Sequence, residues 1–256
     1  MRRFIVVVSF VLMAASAFAQ QAPPKMTWVR TYTVEYGREA DFLRLIREET
    51  KPIFDALLKE NKIAGWGVAV PVTHSSDPTT HLVYAALPDW GGADDVANAI
   101  EKANAAMTPA DMKRMGELAS SIRQGSMRDI ILRHVVQTTT APASQPRYIR
   151  TDTHVIKTGR EGDAVQLFNE WAKPIFVDLA AKGTVSVWGL SVHGVPDGGQ
   201  DGWTHMVWYF MPDMAGQDVI DTINEGSART KGYWLRLWDM SVPEKYRGTV
   251  YRIITP

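Results

Sequence analysis

The chain has 256 residues, 45% of them hydrophobic, with 28 Lys plus Arg balanced by 28 Asp plus Glu and no cysteine. The balanced charge gives no electrostatic footprint for nucleic acid or an anionic membrane surface. The lack of cysteine excludes disulfides, a lipidated-cysteine anchor, thiolate chemistry and cysteine metal sites.

The first residues read as a leader rather than as fold. Arg2 and Arg3 form a basic start, Phe4 to Ala15 is apolar, and Ala17-Phe18-Ala19 is a small-x-small cleavage site. Residues 1–19 are therefore expected to be a signal peptide. Its removal leaves 26 basic against 28 acidic residues and a net charge near −2. The apolar run is short for a membrane span. The expected product is periplasmic or secreted, with no membrane association after cleavage.

Residues 27–36 alternate and are β-branched or aromatic, which predicts a strand. From Arg38 to Asn61, Phe42, Leu45, Ile46, Ile53, Leu57 and Leu58 recur at helical spacing. Pro52 lies inside that helix and predicts a kink near Lys51. Two strands follow at 65–73 and 80–88, then a helix from about Ala93. Thr108-Pro109 predicts a fresh helix start, and residues 128–137 a last strand. Gln137–Arg147, rich in Thr, Ala, Ser and Pro, reads as a linker. The pattern then repeats: strand 148–157, helix 160–182, strands 185–193 and 203–211, helices 215–226 and 229–240, strand 247–255.

The recurrence extends to residues. Lys51-Pro52-Ile53-Phe54 returns as Lys173-Pro174-Ile175-Phe176, and Trp66-Gly67 as Trp188-Gly189. Aligned at an offset of 122, Gly37–Val70 and Gly159–Val192 agree at 14 of 34 positions. Thr80-His81 matches Thr204-His205, and Arg128 and Arg133 match Arg247 and Arg252. Arg30-Thr31-Tyr32-Thr33 matches Arg150-Thr151-Asp152-Thr153. The chain reads as a tandem duplication, with units at 26–137 and 148–256 and a linker at 138–147. Each unit has the order βαββαβ, the ferredoxin-like arrangement. The fold class is α+β. The duplicated unit resembles the dimeric α/β-barrel superfamily, and in layout the NIPSNAP and antibiotic-biosynthesis-monooxygenase-like groups. That resemblance implies two units pairing their sheets into one pseudo-twofold barrel, completed here by a single monomeric chain. It transfers no catalytic residue.

No phosphate loop, G-x-S-x-G elbow or H-E-x-x-H is present. The candidate ligand-binding residues are Arg30, Trp66, Arg133, Arg150, His154, Trp188 and Arg252, in two sets that would meet inside the barrel if all strands aimed them there. Arg suits a carboxylate, Trp stacking, and His acid–base work. The candidate catalytic residues are His81, His205 and Tyr209. The competing reading makes both histidines and both tryptophans structural, since duplication preserves packing residues too. His154, His205 and Asp152 specify no metal triad, so no metal is predicted. No cofactor is predicted either, with haem as a variant that some barrels of this superfamily suggest. Six of the nine tryptophans lie in the second half, which reads first as a better-packed core there and, more sharply, as one half keeping an apolar pocket while the other serves as scaffold. The expected function is binding of an anionic or aromatic small molecule. The alternatives are a cofactor-independent oxygenase or isomerase, and a partner-binding module marked by an exposed Trp234/Trp238 patch.

Overall fold

The computed structural model describes residues 23–72, 79–138, 145–194 and 202–254. The predicted leader and His74 lie outside them. The first half runs β1 (Met26–Tyr32), α1 (Glu39–Leu45), α2 (Lys51–Lys59), β2 (Gly65–Pro71), β3 (His81–Leu87), α3 (Trp90–Ala105), α4 (Pro109–Ala119) and β4 (Arg128–Gln137). The second runs β5 (Tyr148–His154), α5 (Glu161–Leu167), α6 (Lys173–Ala181), β6 (Val187–His193), β7 (His205–Met211), α7 (Ala215–Gly226), α8 (Ala228–Met240) and β8 (Arg247–Ile254). The strands close into one antiparallel barrel in the order β1-β3-β2-β8-β5-β7-β6-β4. The β2–β8 and β4–β6 seams join the halves, so one chain covers its own sheet edges.

The long first helix of each half is interrupted as the prolines require, but one turn earlier than the sequence suggests. Ile46–Thr50 and Phe168–Ala172 are π-helical, with the amides of Lys51 and Lys173 donating to the carbonyls of Ile46 and Phe168. Proline has no amide to donate and its ring crowds the carbonyl four residues back. Widening the preceding turn relieves both. Thr108 caps α4 through a reciprocal capping box with Asp111, as the Thr-Pro pair predicts.

Alternation splits each strand between two cores. The helix-facing set of the first half is Met26, Trp28, Tyr32, Val68, Val83, Ala85 and Leu87, packed on Phe42, Ile46, Phe54 and Leu57. The second half repeats it with Trp188, Leu190, Val207, Tyr209 and Met211 on Leu167, Phe168, Leu179, Tyr233 and Leu237. Full burial of a side chain such as Phe42 or Phe54 contributes roughly 1.5–3 kcal/mol. The opposite faces fill the barrel with Val29, Ala69, Leu82, Tyr84, Ile149, Phe210, Tyr251 and Ile253.

The Trp-Gly pairs follow from this division. A Cβ on Gly67 would sit 2.6 Å from the Tyr84 hydroxyl, and one on Gly189 would sit 2.5 Å from the Trp208 ring. Each glycine lets one large interior ring lie flat on the neighbouring strand. The tryptophan beside it faces the helices, where Trp66 meets Phe54 and Trp188 meets Phe176.

The sheet register corrects one sequence match. Tyr32 faces His81 and Arg30 faces Asp129, whereas His154 faces His205 and Asp152 faces Gly248. The first strands are thus equivalent at an offset of 122, the same as the helices that follow. Arg150 is the counterpart of Trp28, and Asp152 of Arg30. The shared Arg-Thr-x-Thr string is a coincidence two residues out of register.

Candidate site between the second sheet and its helices

The predicted strand residues face the helices rather than the barrel interior. Trp66, His81, Trp188, His205 and Tyr209 all lie on helix-facing sides of their strands. His81 packs on Phe42, and its Nδ1 is 3.0 Å from the Thr80 hydroxyl. His205 repeats the clasp with Thr204 at 2.9 Å. In both halves the threonine hydroxyl also accepts the amide of the residue two past the first strand's end, Val34 or Ile156. The same clasp thus occurs in both halves. Arg30 forms a two-pronged pair with Asp129 at 2.6 Å and stacks on Trp28. Arg133 and Arg252 are exposed and sit apart from these groups.

Equivalence between the halves separates what is structural from what is special. A cavity of about 60 Å³ lies between the second sheet and its helices. Part of its lining is common to both halves: Ile175, Phe176, Leu179 and Val207 correspond to Ile53, Phe54, Leu57 and Val83. The rest is not. Asp152 stands where the first half has Arg30, Tyr209 where it has Ala85, and Asn224 where it has Ile100. On α8, Thr230, Tyr233 and Trp234 replace Asp111, Arg114 and Met115. That register is set by the matching caps Thr108 and Ser227 and by the bridges Val34–Ile122 and Ile156–Ser241.

The substitutions account for the space. In the first half Trp28 packs edge-on against Phe54, ring centres 5.7 Å apart. Arg150, at the same position, instead turns its guanidinium to Asp152, with Nε and Nη2 donating to Oδ1 at 2.9 and 2.8 Å. The Tyr246 hydroxyl donates to the same oxygen at 2.7 Å. Gly248 makes room for this cluster: a Cβ there would meet Arg150 Nη2 at 2.5 Å, Asp152 Oδ1 at 2.8 Å and the Tyr246 hydroxyl at 2.9 Å.

Burial opposes the charge on Arg150, but Asp152 overrides it and holds the guanidinium's pKa above its ordinary value. Burial, then the Asp152 charge, push Tyr209, Tyr233 and Tyr246 up, so all three stay protonated donors. His154 is 2% exposed and neither ring nitrogen has a hydrogen-bond partner. Desolvation, with neighbouring His205 adding to it, lowers its pKa to about 4. Three rings surround it: Tyr246 at 5.1 Å, Trp234 at 6.0 Å and Trp238 at 6.3 Å. Their first-half counterparts are Met115, Ala119 and Met127. Trp234 and Trp238 therefore point inward, and the exposed patch imagined for a partner is not formed.

His154 and His205 do face each other across β5 and β7, yet no group of three metal-binding side chains occurs among the described residues. Nor does haem fit. The lining carries no His or Met, and the cavity is far below the roughly 300–1,000 Å³ of sites for molecules of drug size. Sequence reasoning named Arg150, His154 and Tyr209, weighed Asp152 only as a metal ligand, and missed Thr230, Tyr246 and Gly248. The signal for them was available as positions where the two copies disagree, once the register is known.

No family model matches the sequence, and no curated protein matches it. Solved structures do. The chain is similar to a protein assigned as a monooxygenase from Fusobacterium nucleatum, with 10% identity, TM-score 0.60, and 92% of this chain and 94% of that one covered. A protein assigned likewise from Lactobacillus acidophilus gives 14%, 0.56, 91% and 94%. A haem complex of a DypB variant from Rhodococcus jostii gives 9%, 0.54, 91% and 94%. At such identities the likeness concerns architecture: this chain has the dimeric α/β-barrel fold, built from two ferredoxin-like units in tandem.

Proposed function

We propose that the protein binds a small, neutral, largely aromatic or aliphatic molecule between the second sheet and α6, α7 and α8. The observation that carries this reading is that differences between the halves collect around one cavity. Asp152 is the only charged residue of the lining, and Arg150 is committed to it. The site therefore favours neutral ligands over the anionic ones suggested by the arginine content. Thr230 lines the cavity with a buried hydroxyl that has no partner, and so offers one polar contact. Barrel-fold neighbours assigned as monooxygenases are compatible with a site for such molecules. Export of the chain after cleavage at Ala19 belongs to the same reading, and an intact mass starting at Gln20 tests it.

Ligand-detected NMR with small neutral aromatics tests the binding reading. The wild-type protein should bind members of such a panel, and Ala172→Leu, which fills the lining, should abolish binding. Absence of binding to the wild type, or binding untouched by Ala172→Leu, contradicts it.

Turnover is a second reading, and one observation favours it. Asp152 is a carboxylate at the cavity wall, oriented by Arg150 and Tyr246, as a general base must be. Asp152→Asn should then retain ligand and lose conversion.

A further inference from the structure

Two features of the second half remain unused by this binding reading. One is a histidine buried among three aromatic rings with both nitrogens unpartnered. A neutral imidazole carries one donor and one acceptor, and leaving such groups unpaired in the interior is costly. The other is the size of the cavity. At about 60 Å³ it holds a few non-hydrogen atoms, whereas a cavity of about 150 Å³ is known to accept benzene.

Trp234 belongs to both features. Its ring lines the cavity and also packs on His154. Its indole nitrogen is held only by a long 3.4 Å contact to Asn224 Oδ1, itself a lining residue. Stacking on Trp238, with ring centres 5.7 Å apart, supports it from the side. Displacing this one ring would extend the cavity to His154.

The geometry points to Trp234 as a movable partition and to His154 as the polar end of an enlarged site, which takes a small aromatic molecule bearing a hydroxyl. This inference rests on the binding reading above. One His154 nitrogen would accept a hydrogen bond from the ligand's hydroxyl, and the ring would lie among Phe176, Trp234 and Trp238. Three donors already converge on Asp152 Oδ1, which leaves its Oδ2 and the Thr230 hydroxyl as the competing readers.

Phenol and toluene differ by the group in question and serve as probes. Calorimetric titration of the wild-type protein should show phenol binding at least tenfold more tightly than toluene. His154→Phe should erase the preference while keeping toluene binding. Thr230→Val should leave the preference largely intact. Since the His154 variant could misfold, the wild type provides a second readout: phenol should move the His154 ring-nitrogen resonances and toluene should not. A preference that survives His154→Phe, one lost only in Thr230→Val, or unmoved His154 resonances overturns the inference and leaves the binding reading standing. Failure of both probes to bind the wild type overturns both.

Discussion

Asp152 faces Gly248 across β5 and β8, where the first half places Arg30 opposite Asp129. The first half thus pairs a cation on its first strand with an acid on its last. The second moves the acid to the first strand, takes the cation from two residues upstream, and leaves a glycine opposite. The Arg150–Asp152–Tyr246 cluster fits over Gly248 only because no Cβ is there. Gly248→Ala should destabilise the fold by about 1–3 kcal/mol, the usual range for overpacking. Asp129→Ala, at the equivalent site, should change stability by no more than about 1 kcal/mol. Urea unfolding of the two variants checks the contrast.

The two arginine pairs should also differ in value. The Arg150 and Asp152 side chains are 22% and 9% exposed, whereas Asp129 is 46% exposed. Removing one partner of a buried pair strands the other charge and costs about 3–5 kcal/mol. Arg150→Met should approach that range, and Arg30→Met should cost about 1 kcal/mol or less. Equal losses in thermal unfolding would show that the second pair is no more buried in solution than the first.

Barrel closure depends on Gly67 and Gly189. Alanine at either should push Tyr84 or Trp208 off its neighbouring strand, and the fold should lose about 1–3 kcal/mol. Gly65→Ala is the control, because a Cβ there meets nothing within 4 Å. Comparable losses at all three positions would contradict the packing described for the interior.

Acid should weaken the fold before carboxylates titrate. Desolvation lowers His81, His154 and His205 from an ordinary 6.5 to about 4. Between those pH values the unfolded chain binds more protons than the folded one, so stability falls as pH drops from about 6.5 towards 4. Each such histidine contributes up to about 1.4 kcal/mol per pH unit within the window, and none of this dependence extends above it. Denaturant midpoints should be flat from pH 7 to 8 and decline below 6.5. Midpoints that hold steady down to pH 5 would show that these rings protonate freely in the fold.

Much of the architecture was legible because duplication repeats every structural instruction. Pro52 and Pro174 marked the helix irregularity, Thr108-Pro109 marked a helix start, and the two Trp-Gly pairs marked β2 and β6, the strands on which the large interior rings lie. Alternation correctly grouped Arg150, Asp152 and His154 on one face. It could not say which face, because a strand buried on both sides offers apolar residues to the barrel and to the helices alike. The inferred ligand cluster was therefore placed inside the barrel, whereas those residues face the helices. Strand register was equally hidden. A two-residue error made Arg30 and Arg150 look equivalent, and concealed that Asp152 and Gly248 replace an Arg–Asp pair.

In the proposed binding mode the second half's sheet–helix cavity takes the ligand, while the first half and the barrel interior do not. Isoleucine methyl NMR during phenol titration tests it directly, because Ile53 and Ile175 are equivalent reporters in the two halves. The account predicts saturable shifts at Ile175, Ile220 and Ile223, which lie on the cavity wall, with Ile53, Ile149 and Ile253 unmoved. Shifts centred on Ile149 and Ile253, which pack inside the barrel, or equal shifts at Ile53 and Ile175, would contradict it.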